Sequence, residues 1–151
     1  GGSDTEVILN AVHCWGLDAA LARFIGMFAF ALWNQRERSL CLVRDRVGVK
    51  PLYYYRDSAS LLFGSELKAL FAHPAFAKRL NERGLGQFFV LGYCLGPTTV
   101  LADTLKVPAG HYVTIKADGA VSLHEYWSLD RVERGRHERR VQKIMALERG
   151  R

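Results

Sequence analysis

The segment from Gly26 to Tyr55 constrains what this chain can fold into more than any other. Residues 27–33 are apolar throughout and rich in aromatics, which predicts a strand buried on both faces. A polar turn over residues 34–39 leads into a second apolar stretch over residues 40–43, so the two stretches predict a β-hairpin. The segment therefore indicates that an antiparallel sheet forms part of the fold.

The chain then turns at an Arg44-Asp45-Arg46 corner. Gly48 permits a backbone angle that other residues avoid, and Pro51 fixes the conformation in which the next strand begins. This pattern predicts an ion-paired corner, in which Arg44 and Asp45 are structural residues.

Capping signals predict four helices. Ser3 and Glu6 have the spacing of a capping box, and the apolar residues that follow recur at helical spacing. The predicted helices cover about Asp4–Trp15, about Leu17–Phe24, a short segment after an N-cap at Ser65 with Glu66 in its first turn, and the stretch from an Asn81 cap to about Leu91.

Two further hairpins are predicted after the corner. The first pairs residues 52–55 with residues 61–64, and the second pairs residues 110–115 with residues 120–126 through an Asp-Gly turn. Helices at both ends of an antiparallel set of strands indicate an α+β layered domain.

The charge is concentrated at the C-terminal end. Residues 131–151 hold eight Lys and Arg against three Asp and Glu, so they carry +5 of the net charge of +6. We therefore predict a domain over residues 1–129 and a basic linker or tail over residues 130–151, in which Val141, Ile144 and Met145 have the spacing of an amphipathic helix. The tail has no aromatic residue on which a base could stack, so no nucleic-acid partner is expected.

Several classes of protein are not expected from this sequence. No apolar run approaches the ~20 residues that cross a bilayer, so a cytoplasmic protein without a membrane partner is expected. Cys14, Cys41 and Cys94 lack paired spacing and are expected to be buried, reduced thiols. The five histidines show no metal-ligand spacing, so no metal site is expected.

Three blocks of sequence, in this order and spacing, resemble one known family. The first block is SDTEVIL from Ser3. The second is the segment Gly26–Tyr55, which contains GMFAFALW and RDRVGVKPLYYY. The third is FGSELKAL from Phe63. The stretch from about Ser3 to Trp127 is similar to the glutamine-hydrolysing, class II amidotransferase domain of asparagine synthetases. The resemblance implies a partial four-layer α/β/β/α sandwich of the N-terminal-nucleophile hydrolase type, with antiparallel sheets and with the N-terminal part of the domain missing.

The resemblance also implies a chemistry. Such enzymes hydrolyse glutamine with an N-terminal cysteine whose own α-amine is the base. This sequence begins Gly-Gly-Ser, and the family's carboxylate-binding Arg and oxyanion-hole Asn-Gly pair would lie upstream of the SDTE block. No catalytic residue is therefore expected in this chain, and the chain alone is expected to be inactive.

One substrate contact carries over by resemblance. Asp4 matches the acidic residue that similar enzymes place against the α-ammonium of glutamine, whereas a purely structural interpretation makes it a first-turn carboxylate. Arg44, Asp45 and Lys50 are interpreted as a structural corner or as part of an interface with a synthetase domain. Glu66 is interpreted as a helix N-terminal carboxylate rather than a general base.

The parent function that the resemblance implies is a ligase of asparagine biosynthesis, which supplies ammonia from glutamine for the ATP-dependent amidation of aspartate. ATP and Mg²⁺ are expected only in a missing synthetase domain in cis, since no phosphate-binding loop is present and no cofactor is expected in this chain. The alternatives are a non-catalytic scaffold or binding domain of the same fold, or another class II amidotransferase. Uncovered sheet surface, drawn from Phe28, Phe30, Leu32 and Leu42, is expected to make the isolated chain aggregate or form a homodimer.

Overall fold

The structure of the chain is a computed structural model that describes residues 2–130. The predicted tail, with its amphipathic spacing, lies almost wholly outside these residues. The elements, in chain order, are α1 (Asp4–Trp15), α2 (Leu17–Arg23), β1 (Ala29–Asn34), β2 (Ser39–Arg44), β3 (Tyr53–Arg56), β4 (Leu61–Gly64), α3 (Leu67–Phe71), α4 (Glu82–Leu91), β5 (Thr104–Lys106), β6 (His111–Lys116) and β7 (Val121–Glu125).

The two longest helices begin at the residues that the capping signals predicted. The Ser3 hydroxyl accepts a hydrogen bond from the Glu6 amide at 3.3 Å, and α1 ends at Trp15 as predicted. The Asn81 side chain accepts from the Gly84 amide at 3.1 Å, and α4 runs to Leu91. Side-chain caps therefore fix these helix starts, because they satisfy amides that have no partner inside the helix.

The strands form two antiparallel sheets. One sheet has the strand order β1-β2-β6-β7 and the other has the order β4-β3-β5. In the first sheet Phe30 lies opposite Val43, and in the second Tyr54 lies opposite both Phe63 and Leu105. Each predicted hairpin is present, and the register places every second side chain on the same face.

Three apolar clusters divide the domain into four layers. The first lies between the two sheets, the second lies between α2 and the outer face of the larger sheet, and the third lies between α3 and the outer face of the smaller sheet. Their buried members are, respectively, Leu42, Leu52, Val107, Val113 and Ile115; Leu21, Val43 and Tyr112; and Tyr55, Leu70, Phe76 and Leu101. The α+β, four-layer arrangement that the resemblance implied is confirmed.

Strand β1 differs from its prediction. It is not buried on both faces: Trp33 is 55% exposed, and Phe30 and Leu32 are only half-buried. The reason is its position, because within residues 2–130 β1 pairs with β2 alone and so forms an edge of its sheet. Leu42, which was expected among the uncovered residues, is wholly buried, since β2 is a central strand with a neighbour on each side.

Three smaller predictions are also corrected. Glu66, not Ser65, is the N-cap residue of α3, and its side chain makes no capping hydrogen bond. Strand β5 was not predicted, because it has three residues and gains its pairing with β3 in the folded sheet. Cys14 is exposed, whereas Cys41 and Cys94 are partly buried, and all three are free thiols. No helix within residues 2–130 is long and apolar enough to span a membrane.

Candidate functional site

A cleft of about 530 Å³ opens where the start of α1 meets β1, the polar corner and the segment before α3. Asp4, Lys50 and Glu66 bring charge to this cleft, so three of the five residues singled out in the sequence lie around one space. The volume is within the range of about 300–1,000 Å³ that small-molecule sites have. The arrangement is therefore a candidate binding site for a small polar molecule.

The remaining walls of the cleft are largely apolar. The cleft is lined by Ile8 of α1, by Met27 and Phe28 just before β1, by Phe30 within β1, and by Pro51 after the corner. The sequence did not indicate that these residues belong to a site. The signal for Met27, Phe28 and Phe30 was the apolar run of residues 27–33, which was interpreted as a buried strand.

Asp4 lies in the first turn of α1, directly after the Ser3 cap. The cap residue is extended, with φ −101° and ψ 145°, and this turns the chain so that Asp4 is exposed at the helix start. A second cleft of about 350 Å³ shares Asp4, Ile8 and Phe28 with the first and extends toward Arg23. Asp4 therefore stands at the boundary of two connected spaces and is accessible from both.

The corner behind the cleft is held by the buried carboxylate of Asp45. Its two oxygens accept hydrogen bonds from the amides of Val49 at 2.9 Å and of Lys50 at 2.8 Å, and its side chain is fully buried. Burial on its own would raise the pKa of Asp45, but the hydrogen bonds from the amides of Lys50, Val49, Gly48 and Val47 outweigh it and lower that pKa. Asp45 therefore stays ionised and fixes the loop that carries Lys50.

Arg44 binds the same loop from the other side. Its guanidinium donates to the carbonyls of Lys50 at 2.8 Å, Val107 at 2.8 Å and Gly48 at 2.6 Å. The sequence predicted an ion pair at this corner. In the structure the side chains of Arg44 and Asp45 bind main-chain groups instead. Neither Arg44 nor Asp45 lines the cleft; they position Lys50 and Pro51, which do.

The corner also connects to the far strands. The Asp45 amide donates to the carbonyl of Phe28 at 2.9 Å, so the corner holds a residue of the cleft wall. The Tyr126 hydroxyl donates to the Arg44 carbonyl at 2.7 Å. Burial, and then the negative charge of Asp45, raise the pKa of Tyr126 to about 12, so this donor keeps its proton at neutral pH.

Glu66 lies on the opposite rim of the cleft. Its carboxylate is 2.7 Å from the ammonium of Lys68, and both side chains are mostly exposed. The sequence predicted a helix N-terminal carboxylate, and Glu66 lies at the start of α3 as its N-cap residue.

Cys14, Cys41 and Cys94 all lie within residues 2–130, and none of them lines this cleft. Cys14 lies ten residues along α1 from Asp4, about 15 Å at the rise of an α-helix. Cys41 lies on β2, 3.6 Å from the Thr114 hydroxyl, and burial raises the pKa of its thiol. Cys94 donates to the Gly84 carbonyl at 3.3 Å on the side of α4. Within residues 2–130 no group of three or more His, Cys, Asp or Glu could hold a metal ion.

Comparisons with known proteins agree with this arrangement. The family described as "Glutamine amidotransferase domain" matches residues 1–127. Asparagine synthetase (glutamine-hydrolyzing) 3 of Bacillus subtilis strain 168 is 38% identical over 129 residues, which are 85% of this chain and 21% of the relative. Putative asparagine synthetase (glutamine-hydrolyzing) 2 of Methanocaldococcus jannaschii is 34% identical over 131 residues, 85% of this chain and 25% of the relative. Amidase chry2 of Gibberella zeae is 30% identical over 134 residues, 86% of this chain and 19% of the relative.

The chain thus spans about a fifth to a quarter of the length of these relatives. Among solved structures, glutamine phosphoribosylpyrophosphate amidotransferase from B. subtilis, complexed with ADP and GMP, aligns with a TM-score of 0.54. The alignment has 19% identity and covers 83% of this chain and 23% of that one, so it supports the fold, a sandwich of the N-terminal-nucleophile hydrolase type. The family match covers most of the chain, and this chain therefore belongs to the glutamine amidotransferase domain family.

Proposed function

We propose that this chain is part of the glutaminase domain of a glutamine-dependent asparagine synthetase. The observation that carries the proposal is the single cleft around which Asp4, Lys50 and Glu66 lie, in a domain whose relatives are named asparagine synthetases. In the parent enzyme, glutamine would be hydrolysed at this cleft and its ammonia used elsewhere to amidate aspartate.

Asp4 is assigned to the α-ammonium of glutamine. A carboxylate that accepts from a primary ammonium forms a charge-assisted hydrogen bond, about twice as strong as a neutral one. Asp4 is exposed and lies beside an apolar wall that includes Ile8 and Phe28. This position suits the role, because the ammonium end of glutamine would stay near water while its methylene groups would face the apolar wall. Lys50 and Glu66 are proposed to shape the charge at the rim, and Lys50 or Arg44 to face a synthetase domain.

The attacking thiol is proposed to come from residues outside this sequence. None of the three cysteines lines the cleft. The thiol must form the thioester and water must then release glutamate, so this polypeptide alone is proposed to be inactive.

We propose a two-domain organisation for the parent enzyme. A synthetase domain in cis would bind ATP and Mg²⁺, residues 1–129 would form the domain and residues 130–151 the linker, and the protein would be cytoplasmic. A homodimer is also proposed. The second candidate function is a non-catalytic scaffold or binding domain of the same fold.

The test compares two proteins. The purified 151-residue chain should release no glutamate from glutamine, and the protein extended by the coding sequence upstream of Gly1 should do so. Thiol-dependent glutaminase activity in the short chain would refute the assignment of the nucleophile. An extended protein that contains no cysteine after its initiating Met would instead support the non-catalytic candidate.

A second measurement isolates Asp4. In the extended protein, Asp4→Asn should raise the KM for glutamine at least tenfold with a smaller change in kcat, because one charge-assisted hydrogen bond to the substrate is lost. Glu82→Gln is the matched control, since Glu82 occupies the first turn of α4, away from the cleft. Equal KM values for Asp4→Asn and Glu82→Gln would leave Asp4 as a first-turn carboxylate only.

A further inference from the structure

A separate cavity lies at the other end of strands β1 and β4 from the cleft around Asp4. Its volume is about 300 Å³, at the lower end of the range of small-molecule sites. Two hairpin turns border it, residues 57–60 between β3 and β4 and residues 117–119 between β6 and β7, and we call it the turn cavity. Among residues 2–130, the turn cavity and the cleft share no lining residue, so they are distinct spaces.

The floor of the turn cavity is the last row of side chains between the two sheets. Leu40 and Ile115 lie opposite each other on β2 and β6, and both pack in the core between the sheets. Trp33 lies opposite Leu40 on β1 and so shares their face, yet it is 55% exposed. Leu61 of β4 closes the floor from the smaller sheet. The cavity therefore offers an indole ring and three aliphatic side chains to an apolar group.

Arg56, the last residue of β3, brings a cation to the wall of the turn cavity. Its guanidinium donates a hydrogen bond to the carbonyl of Gly119 at 2.6 Å, and this bond links the smaller sheet to a turn of the larger one. A guanidinium carries five N–H groups, of which the bond to Gly119 uses one. The others form the planar fork that binds a carboxylate through two parallel hydrogen bonds.

The carboxylate of Asp57 also lines the turn cavity, but its oxygens are bound within the chain. One oxygen accepts from the amides of Ala59 at 2.8 Å and Ser60 at 2.7 Å, and the other accepts from the hydroxyl of Tyr55 at 2.7 Å. Lys116 and the guanidinium bring the lining to two cations against this one carboxylate, a net charge of +1. The lining therefore favours a ligand with a single negative charge.

The turns around the cavity are ordered by their own hydrogen bonds. The amide of Ala117 donates to the carbonyl of Arg38 at 3.0 Å, which joins the β6–β7 turn to the β1–β2 turn. The carboxylate of Asp118 accepts from the amide of Ala120 at 2.9 Å. Binding would therefore order little additional chain, and this lowers its entropic cost.

We propose that the turn cavity is a binding site for a small aromatic carboxylate. The carboxylate accepts two hydrogen bonds from the guanidinium of Arg56, and the ring packs against Trp33 and the aliphatic floor. The charge of the lining matches one carboxylate better than a doubly charged phosphate, and the indole favours a ring over an aliphatic chain.

The first experiment titrates the 151-residue chain with phenylacetate and follows its N–H signals by two-dimensional NMR. The dissociation constant should be on the order of 1 mM for a probe of this size, and the indole N–H of Trp33 and the amides of residues 58–60 should shift. Phenylacetamide has the same shape without the charge, and acetate has the charge without the ring, so each should bind at least tenfold more weakly. Equal binding of phenylacetate and phenylacetamide would overturn the proposal, as would shifts confined to the cleft around Asp4.

The second experiment repeats the phenylacetate titration on variants of the lining. Trp33→Leu should raise the dissociation constant at least fivefold, and Trp15→Leu is the matched control, because Trp15 is 52% exposed and does not line the turn cavity. Arg56→Gln should raise it at least tenfold, with Arg36→Gln as the control in an exposed turn outside the lining.

Circular dichroism melting should show an unchanged fold for Trp33→Leu, so this variant is decisive even if Arg56→Gln unfolds the chain. A dissociation constant that Trp33→Leu left unchanged, or that Trp15→Leu raised as much, would overturn the proposal. Neither experiment involves glutamine, so the result is independent of the proposed glutaminase function.

Discussion

The polar corner and the rim of the cleft hold charged residues of the same kinds, but in opposite surroundings. At the corner, Asp45 is fully buried and both its oxygens bind amides, while Arg44 binds three carbonyls. At the rim, Asp4 is exposed and Glu66 pairs with an exposed lysine. The comparison teaches that the shape of the site and its binding chemistry are carried by different residues, so mutations should separate stability from function.

The largest effect is expected for Asp45→Ala. Two charge-assisted hydrogen bonds are lost and two amides lose their partner, so the free energy of unfolding should fall by about 3–5 kcal/mol. Urea denaturation followed by fluorescence measures this change. Asp118→Ala is the control: its carboxylate accepts from Ala120 in an exposed turn, and its loss should cost under about 1 kcal/mol. Similar losses in both variants would contradict the distinction between corner and surface.

The next largest effect is expected for Gly110→Ala. The Gly110 amide donates to the carbonyl of Asp45, and its φ is +68°. A Cβ at this position would lie 2.2 Å from the carbonyl oxygen of Trp127, so the backbone must move. We expect a loss of about 2–4 kcal/mol, from the strain of a positive φ together with this clash.

The control for Gly110→Ala is Gly92→Ala. Gly92 also has a positive φ, of +78°, in the left-handed conformation, but a Cβ there would meet nothing within 4 Å. Both variants carry the strain of a positive φ, so a larger loss in Gly110→Ala reports the clash. Urea denaturation in which Gly92→Ala lost as much stability as Gly110→Ala would show that the close approach to Trp127 is unimportant.

The decrease in the free energy of unfolding at acid pH should also depend on the Asp45 carboxylate of the polar corner. The pKa of Asp45 is lower in the folded chain than in the unfolded one, so the unfolded state takes up protons first as the pH falls. The stabilisation is complete above the unfolded value of about 4 and is lost as the pH falls through the folded value. Urea unfolding at successive pH values should show a shallower loss below about pH 4 for Asp45→Ala than for the wild type.

Asp57 is a second carboxylate with a lowered pKa, so the same pH series needs a variant of Asp57 as a control. Hydrogen bonds from the hydroxyl of Tyr55 and from the amides of Ala59 and Ser60 lower the pKa of Asp57 as well. Asp57→Asn should therefore remove a separate part of the acid dependence. If Asp57→Asn reduced the loss of stability at acid pH and Asp45→Ala did not, protonation of Asp45 would not be the cause of that loss.

The sequence was sufficient where local signals decide the structure. The bounds of α1 and α4 follow from the caps at Ser3 and Asn81 together with helical spacing. The sequence was insufficient where long-range contacts decide it. Strand β5 exists because β3 offers it a partner, and β1 is exposed because its second edge has no partner among residues 2–130.

The candidate site shows the same division. The motifs identified Asp4, Lys50 and Glu66 one by one, and nothing in their spacing indicated that all three line one cleft. The apolar wall could not be separated from ordinary core residues. The corner was assigned a structural role, but its bonds were expected between side chains, since a sequence does not reveal which main-chain groups lie within reach.

The smallest effect on stability is expected at the rim, and it sharpens the comparison most. Asp4→Asn and Glu66→Gln should each change the free energy of unfolding by no more than about 0.5–1 kcal/mol, because exposed pairs and first-turn charges contribute little. Urea denaturation of both variants, beside glutamine titrations of the extended protein, should show unchanged midpoints for both and weakened binding for Asp4→Asn alone. A rim variant that unfolded as readily as Asp45→Ala would mean that the rim also supports the fold. The cleft would then not be divided between residues that shape it and residues that bind.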